Sequence, residues 1–424
     1  MSHSSQIKKP NKILVYYQGF IAVAAVLVFF TKLDIFLEQW GFGIPLYWLF
    51  GFLILSVPLG LSLIAKRQYI PKPLLIWCAT YFGMSSFVVL ISAQIPQMQL
   101  LEDQIRSILF LFLMIVLFSE HKLVQHWVKL AILFVSFMNI FCFIYEFLHP
   151  LAFGALHAYG RAGGFYVDSN EAGCALVLGM IFCIDLFKPQ FRLLFALAII
   201  VGILPTMSRG AILAWVVVIF FFMVRKMIPS YQISYLAIAT AAFFIVLTSQ
   251  LNNLAYLKAA DGTPLFNDDT LARVEFLVDP FSEKQDTSRL SLVDDAWRSF
   301  AEQPFLGKGL GGSANKKYIS ARGEPQQPHN TYLTLMIEYG FLGFLLYPGL
   351  LLSTIWKATG KTQTIGIAFF VFLSIWGIFS HTTITSFFIL LSISYMATLS
   401  HQNRLDNKRS LLKRQSALRA RSSY

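Results

Sequence analysis

Between Asn252 and Gly343 runs a long interval without a hydrophobic span, which closes on Pro328-His329-Asn330-Thr331-Tyr332 before passing directly into the apolar run Leu333 to Trp356. A polar segment of roughly 80 residues between spans is far longer than a connection requires, and loops of that length are either functional or disordered. This one carries helix signals. Asp286 or Thr287 stands as an N-cap, and Leu290, Val293, Trp297 and Phe300 recur on one face. Pro304 and Gly307 stop that helix and open the glycine-rich turn Leu306-Gly307-Lys308-Gly309-Leu310-Gly311-Gly312. The interval is therefore expected to form a folded cap on one membrane face, presenting Arg289 and His329.

The rest of the chain supplies the membrane. Of its 424 residues 56% are hydrophobic and only 13% charged, a balance that excludes a soluble domain of this size. The first apolar run, Ile13 to Phe30, is long enough to span and has no small-residue cleavage site behind it, so it is expected to be a retained helix rather than a signal peptide. Cys78, Cys142, Cys174 and Cys183 all fall inside apolar runs without metal-ligand spacing and read as small core residues. A net charge of +12 would suit nucleic acid, but the basic residues sit in short loops and in the tail, where membrane topology accounts for them. No nucleic-acid partner is expected.

Apolar runs of about 16 to 24 residues give about twelve spans, hence an all-α polytopic membrane protein. Residues 1–250 hold spans one to nine with short loops, 251–330 the cap, 331–400 spans ten to twelve, and 401–424 a basic tail. Span ten is expected as one run, 331 to 356, and the last as 382 to 400. Lys8, Lys9 and Lys12 precede the first span, and Arg404, Lys408, Arg409, Lys413 and Arg414 follow the last, so the positive-inside rule puts both termini in the cytoplasm. The cap then faces outward, on a side whose short loops carry only Lys32, Arg106, Arg161 and Arg209. The tail either lies along the anionic inner leaflet or stays solvated.

Three outward groups could carry chemistry. The first is His157-Ala-Tyr-Gly-Arg161-Ala-Gly-Gly-Phe165-Tyr-Val-Asp168-Ser-Asn170-Glu171, whose glycines admit a ligand close to the backbone. Arg161 there is either a ligand contact or a snorkelling anchor, and Asp168 is better explained as the cap of the next helix. The second is Ser208-Arg209-Gly210, where a cation on the side that disfavours cations, beside a helix start, suits a phosphate. The third is Arg289 with His329. A guanidinium grips phosphate oxygens through parallel donors, and an imidazole can take a proton from a sugar hydroxyl. A lone histidine in a loop is more often a surface residue.

At these residues the chain resembles the bacterial O-antigen ligase and O-antigen polymerase superfamily of membrane glycosyltransferases. The matching stretches are Gly160-Arg161-Ala-Gly-Gly-Phe165-Tyr-Val-Asp168-Ser-Asn170, Ser208-Arg209-Gly210, Ser288-Arg289, Gln303-Pro304-Phe-Leu-Gly307-Lys-Gly309, His329-Asn330-Thr-Tyr332-Leu and Glu338-Tyr-Gly340-Phe-Leu-Gly343. Each alone is weak; their order and outward placement over roughly residues 150 to 350 make the set specific. The resemblance implies transfer of a glycan from undecaprenyl pyrophosphate to an acceptor hydroxyl on the periplasmic face of the inner membrane, without metal or nucleotide and with inversion. It implies Arg209 and Arg289 on the pyrophosphate and His329 on the acceptor as catalytic residues. Arg161, Asp168, Asn330 and Tyr332 would complete the binding site.

The motifs do not separate a ligase, which uses lipid A core as acceptor, from a polymerase, which uses a second carrier-linked glycan, or from a third branch of the superfamily that glycosylates proteins; the single large cap after span nine inclines to ligase. From another class, a flippase for carrier-linked glycan should place cations along the middle of several spans, and here Arg and Lys stay at span ends.

Overall fold

The computed structural model describes residues 12–238 and 287–421, apart from short gaps at 66–69, 93–95, 120, 151, 155–159 and 320–324, together with scattered positions between 242 and 274. Helix α1 (Lys12–Ala25) runs through a π-helical turn, Val26–Phe30, to the short α2 (Leu33–Gln39). There follow α3 (Pro45–Ala65), α4 (Lys72–Ser92), α5 (Pro96–Phe118) and α6 (Lys122–Leu148). Next come α7 (Ser169–Cys183), α8 (Pro189–Ile203) and α9 (Arg209–Val224). The cap contributes α10 (Thr287–Glu302) and a small antiparallel hairpin of β1 (Asn315–Ile319) and β2 (Pro325–Gln326). The chain ends with α11 (Thr331–Tyr339), α12 (Gly343–Thr354), α13 (Gly360–Phe379) and α14 (Phe387–Arg421).

Among the described residues seven helices are long and apolar enough to cross a membrane, and α9 and α12 are apolar but shorter. The protein is thus an all-α, multi-pass membrane protein. Of the expected span 232 to 250, only the start, 232–238, is a described helical run. Helix α7 is the centre of the bundle, buried from Glu171 through Cys183. Its glycines let neighbours approach closely, as lipid-immersed helices require: a Cβ at Gly173 would lie 2.7 Å from that of Ala211, and one at Gly179 only 2.0 Å from Ser136 Oγ. The outer helices expose Phe20, Ile54, Leu90 and Phe141, the side chains a hydrocarbon environment favours.

The expected single span 331 to 356 is in fact two helices, broken at Gly340, which has φ +70°. The cause is the glycine-rich turn of the cap. The carbonyls of Ile337 and Glu338, which a continuous helix would spend on its next turn, accept instead from Lys308 N (2.7 Å) and Gly309 N (3.2 Å), while Phe341 N donates to Pro304 O (2.7 Å). Hydropathy could not show this, because Gly340-Phe341-Leu342-Gly343 is as apolar as its flanks. The last helix also differs from a span followed by a tail: α14 continues unbroken to Arg421, tied to the bundle by Lys122–Asp406 (2.7 Å) and by Asn403 Oδ1, which accepts from Thr359 N (2.9 Å).

The docked break sets a stability test. A Cβ at Gly340 would stand 2.2 Å from Phe305 O, whereas one at Gly360, also at positive φ (+60°), meets open space. Gly340→Ala is expected to cost about 3 kcal/mol or more and Gly360→Ala only about 1 kcal/mol, read as thermal midpoints of the purified protein in detergent.

Candidate functional site

Because successive helices alternate in direction, the turns at 31–44, 160–168, 204–208, 327–330 and 380–386 gather at one end of the bundle. Three of them are held in backbone conformations that side-chain-bearing residues avoid: Lys32, Val167 and Met207 have φ of +56°, +63° and +51°, each just before a helix. Strain of this kind persists only where the surroundings over-determine it. Here they do. Glu146, buried near the end of α6, accepts through Oε2 from Gly163 N (2.8 Å) and Gly164 N (2.6 Å). Tyr166 donates to Phe30 O and accepts from Asn139 Nδ2. Ala162 N donates to Pro205 O at 2.9 Å, which locks the 160–168 turn against the 204–208 turn.

Glu171, in the first turn of α7, joins the remaining pieces. It forms an ion pair with Lys32, both side chains being about nine-tenths buried, and accepts from Ser386 Oγ (3.0 Å). On the other side of the 380–386 turn, Thr331 Oγ1 bonds Ser380 O and Thr383 Oγ1. These contacts enclose a cavity of about 760 Å³ whose walls include Lys32, Asp34, Glu171, His329, Thr331, Glu338 and His381.

The residues expected from sequence occupy this end to different degrees. His329 is exposed in the cavity, its ring 5.1 Å from that of His381 and inclined by 63°. Arg161 stands beside the cavity rather than in its wall, with Nε donating to Thr206 O (3.2 Å) and a terminal nitrogen donating to Asn170 Oδ1 (3.0 Å). Arg209 is half-buried at the start of α9, where Ser208 accepts from Ala211 N as the cap and Gly210 abuts Phe379, so it flanks the 380–386 turn.

Asp168 caps α7, its Oδ1 accepting from Asn170 N and Glu171 N. Asn330 caps α11 by accepting from Leu333 N at 3.1 Å. Tyr332 turns into the bundle, donating to Ser374 O (3.1 Å) and packing on Phe344 and Tyr347, away from the cavity wall.

Arg289 lies in the first turn of α10, and its side chain, like the expected cap Asp286 and His157, lies outside the described residues. The backbone is informative all the same. Ala296 and Phe300 pack on Leu333, Met336 and Ile337, and the C-terminal ends of α10 and α11 meet at Pro304–Phe341, so the start of α10 lies toward the end of α11 that carries His329.

The cavity also holds groups that sequence reasoning passed over. Lys32 counted only as a loop charge and Glu171 only as the end of the 157–171 stretch, while Asp34 and His381 were given no role. The available signal was Lys32-Leu-Asp34 immediately after a span, on the side that short basic loops avoid. Burial drives the pKa of Asp34 up to about 7 against the opposing pull of two backbone amides and Lys32. Burial, reinforced by the neighbouring His329 and partly opposed by Asp168, lowers that of His381 to about 4.

His381 therefore makes stability pH-dependent in a defined window. Unfolded, it binds a proton below about 6.5; folded, it resists until about 4. Stability is complete above the unfolded value and is lost as pH falls between the two, by about 3 kcal/mol. Thermal midpoints in detergent should fall between pH 7.5 and 4.5, and His381→Gln should flatten that slope.

Comparison with curated proteins returns no match. Residues 193–347 match the family model described as O-antigen ligase. The matched segment starts in α8, takes in Ser208-Arg209, α9, α10, His329 and α11, and ends in α12, so it spans both cap and cavity while leaving Lys32, Arg161 and His381 outside it. Over that segment the multi-pass helical bundle is similar to the O-antigen ligase family.

Proposed function

We propose that the protein attaches a glycan, carried on undecaprenyl pyrophosphate, to a hydroxyl of lipid A core at the periplasmic face of the inner membrane. The observation that carries this reading is the convergence of Arg161, Arg209, the start of α10 with Arg289, and His329 on one end of the bundle, around a cavity large enough for sugars. The acceptor oxygen attacks the anomeric carbon, the bond from that carbon to the pyrophosphate oxygen breaks, and the acceptor proton passes to His329 Nε2 or Nδ1. The departing diphosphate gains charge as the bond breaks. Fixed guanidinium groups in a partly dehydrated site stabilise that change more than they stabilise the bound donor, which is what lowers the barrier. Single displacement inverts the anomeric centre, so linkage analysis of donor and product checks the mechanism.

The lipophilic end of the donor fits the same geometry. Apolar residues Ile35, Pro45, Leu100, Ile384 and Phe387 share the cavity wall with the polar groups, giving a prenyl chain a path from the bundle to its head group.

Purified protein, given a defined carrier-linked glycan and either lipid A core or a second carrier-linked unit, tests the assignment. Glycan on lipid A core supports a ligase, and a doubled repeat on the carrier a polymerase. Movement of labelled carrier across liposomes with no transfer would replace both with a flippase. In the same assay His329→Ala should lose roughly 100-fold or more in turnover. Arg289→Lys should stay weak, because an ammonium cannot supply the planar double contact. Normal turnover in His329→Ala at an unchanged thermal midpoint would remove the histidine from the mechanism.

A further inference from the structure

Among the described residues, every charged group in the cavity wall but one is already satisfied by the protein. Lys32 pairs with Glu171, Arg106 with Asp103 at 2.9 Å, and Glu338 accepts from Gly311 N (3.0 Å) and Ser313 Oγ (2.9 Å). The exception is Asp34. It is 1% exposed, it lines the cavity, and neither carboxylate oxygen has a hydrogen-bond partner among the described residues. Its own amide and that of Ile35 come near without the alignment of a hydrogen bond. Lys32 is two residues away and engaged elsewhere, and Glu38, one helical turn on, is a further negative charge. A buried carboxyl left in this state is costly and persists where a ligand completes it.

We infer that Asp34 is the specificity-determining residue of the acceptor subsite, accepting hydrogen bonds from the hydroxyl or amino groups of a neutral or amino sugar next to the hydroxyl that reacts. The chemistry excludes the donor's diphosphate as its partner: an anion brought against a carboxylate in a low-dielectric wall is repelled, whereas a sugar offers several O–H donors and no charge. The same repulsion excludes an acceptor phosphorylated at that position. Asp34 does not touch the bond being made. It sets which sugar can lie in the cavity and in what orientation, and the inference rests on the transferase reading given above.

The test separates acceptor from donor. In Asp34→Ala, assayed at about pH 8 where the native carboxyl is ionised, the KM for a neutral-sugar acceptor should rise about tenfold or more, the loss of hydrogen bonds to a charged acceptor group, while the KM for carrier-linked donor stays within about twofold. Asp34→Asn, which keeps the shape and one accepting oxygen, should fall between Asp34→Ala and the native protein, with a thermal midpoint no lower than native because a buried charge is removed. It also serves as the deciding variant should Asp34→Ala not fold. An acceptor phosphorylated beside the reacting hydroxyl should be a poor substrate for the native protein and gain relative to the neutral one in Asp34→Asn. An unchanged acceptor KM in a folded variant, or a donor KM that rises as much as the acceptor's, overturns the inference. Absence of any glycan transfer by the native protein would instead overturn the reading beneath it.

Discussion

The buried pair of Lys32 and Glu171 is the contact on which this end of the molecule depends. Burying two charges costs several kcal/mol each, and the return is large only when both are well met. Glu171 is met by the ammonium and by Ser386, and Lys32 adopts a left-handed backbone conformation to reach it. In exchange the pair fixes three segments distant in sequence: the turn after the first span, the start of the central helix and the turn before the last. Removing one partner would leave an uncompensated buried charge, so the geometry of the cavity and the stability of the bundle are bound to the same interaction. The N-terminal portion, outside the matched O-antigen ligase segment, thereby becomes part of the cavity wall.

Composition and periodicity made the spans legible because lipid imposes a single requirement, an apolar run long enough to satisfy its own backbone. They also gave the amphipathic helix found at Thr287–Glu302 and the helix cap at Asp168, where a polar residue abuts an apolar run and the choice is local. What could not be read was whatever depends on a distant partner. The break at Gly340 exists because Lys308 and Gly309 arrive from another part of the chain to take the carbonyls of α11. Lys32 becomes a buried ion only once Glu171, separated from it by 139 residues, is brought alongside. Tyr332, next to the cavity-lining Thr331, turns into the bundle instead because on a helix one residue is a rotation of about 100°.

The split of the tenth span has a positional consequence. A continuous helix from residue 331 to 356 would carry its N-terminus wherever the membrane crossing placed it. Broken at Gly340 and clamped by the glycine-rich turn, α11 is instead oriented by the cap through Ala296, Phe300 and the 304–309 backbone. His329 and Asn330 sit at the far end of that short, clamped helix, and Thr331 anchors it to the 380–386 turn. Cap and bundle thus fix the histidine jointly, and a shift in either would move it. This is a preorganised arrangement, in which the protein has already met the entropic cost of orientation before substrate arrives.

Charge placement suggests how two large substrates would share one end of the bundle. The cations in the cavity wall are already committed to carboxylates, and the guanidinium of Arg161 lies beside the cavity, tied to Asn170 and Thr206, with Arg209 near the same turn. On the proposed reading a diphosphate therefore belongs at the rim with the arginines, while the cavity, with its unmatched carboxyl and its two imidazoles, receives the sugars. His329 is the exposed member of the imidazole pair, whereas His381 is held neutral behind it by burial. A neutral neighbour matters: were His381 charged, it would repel a proton arriving on His329 and weaken it as a base. By keeping one ring uncharged, the fold removes that repulsion, which on the proposed reading favours passage of the acceptor's proton to His329.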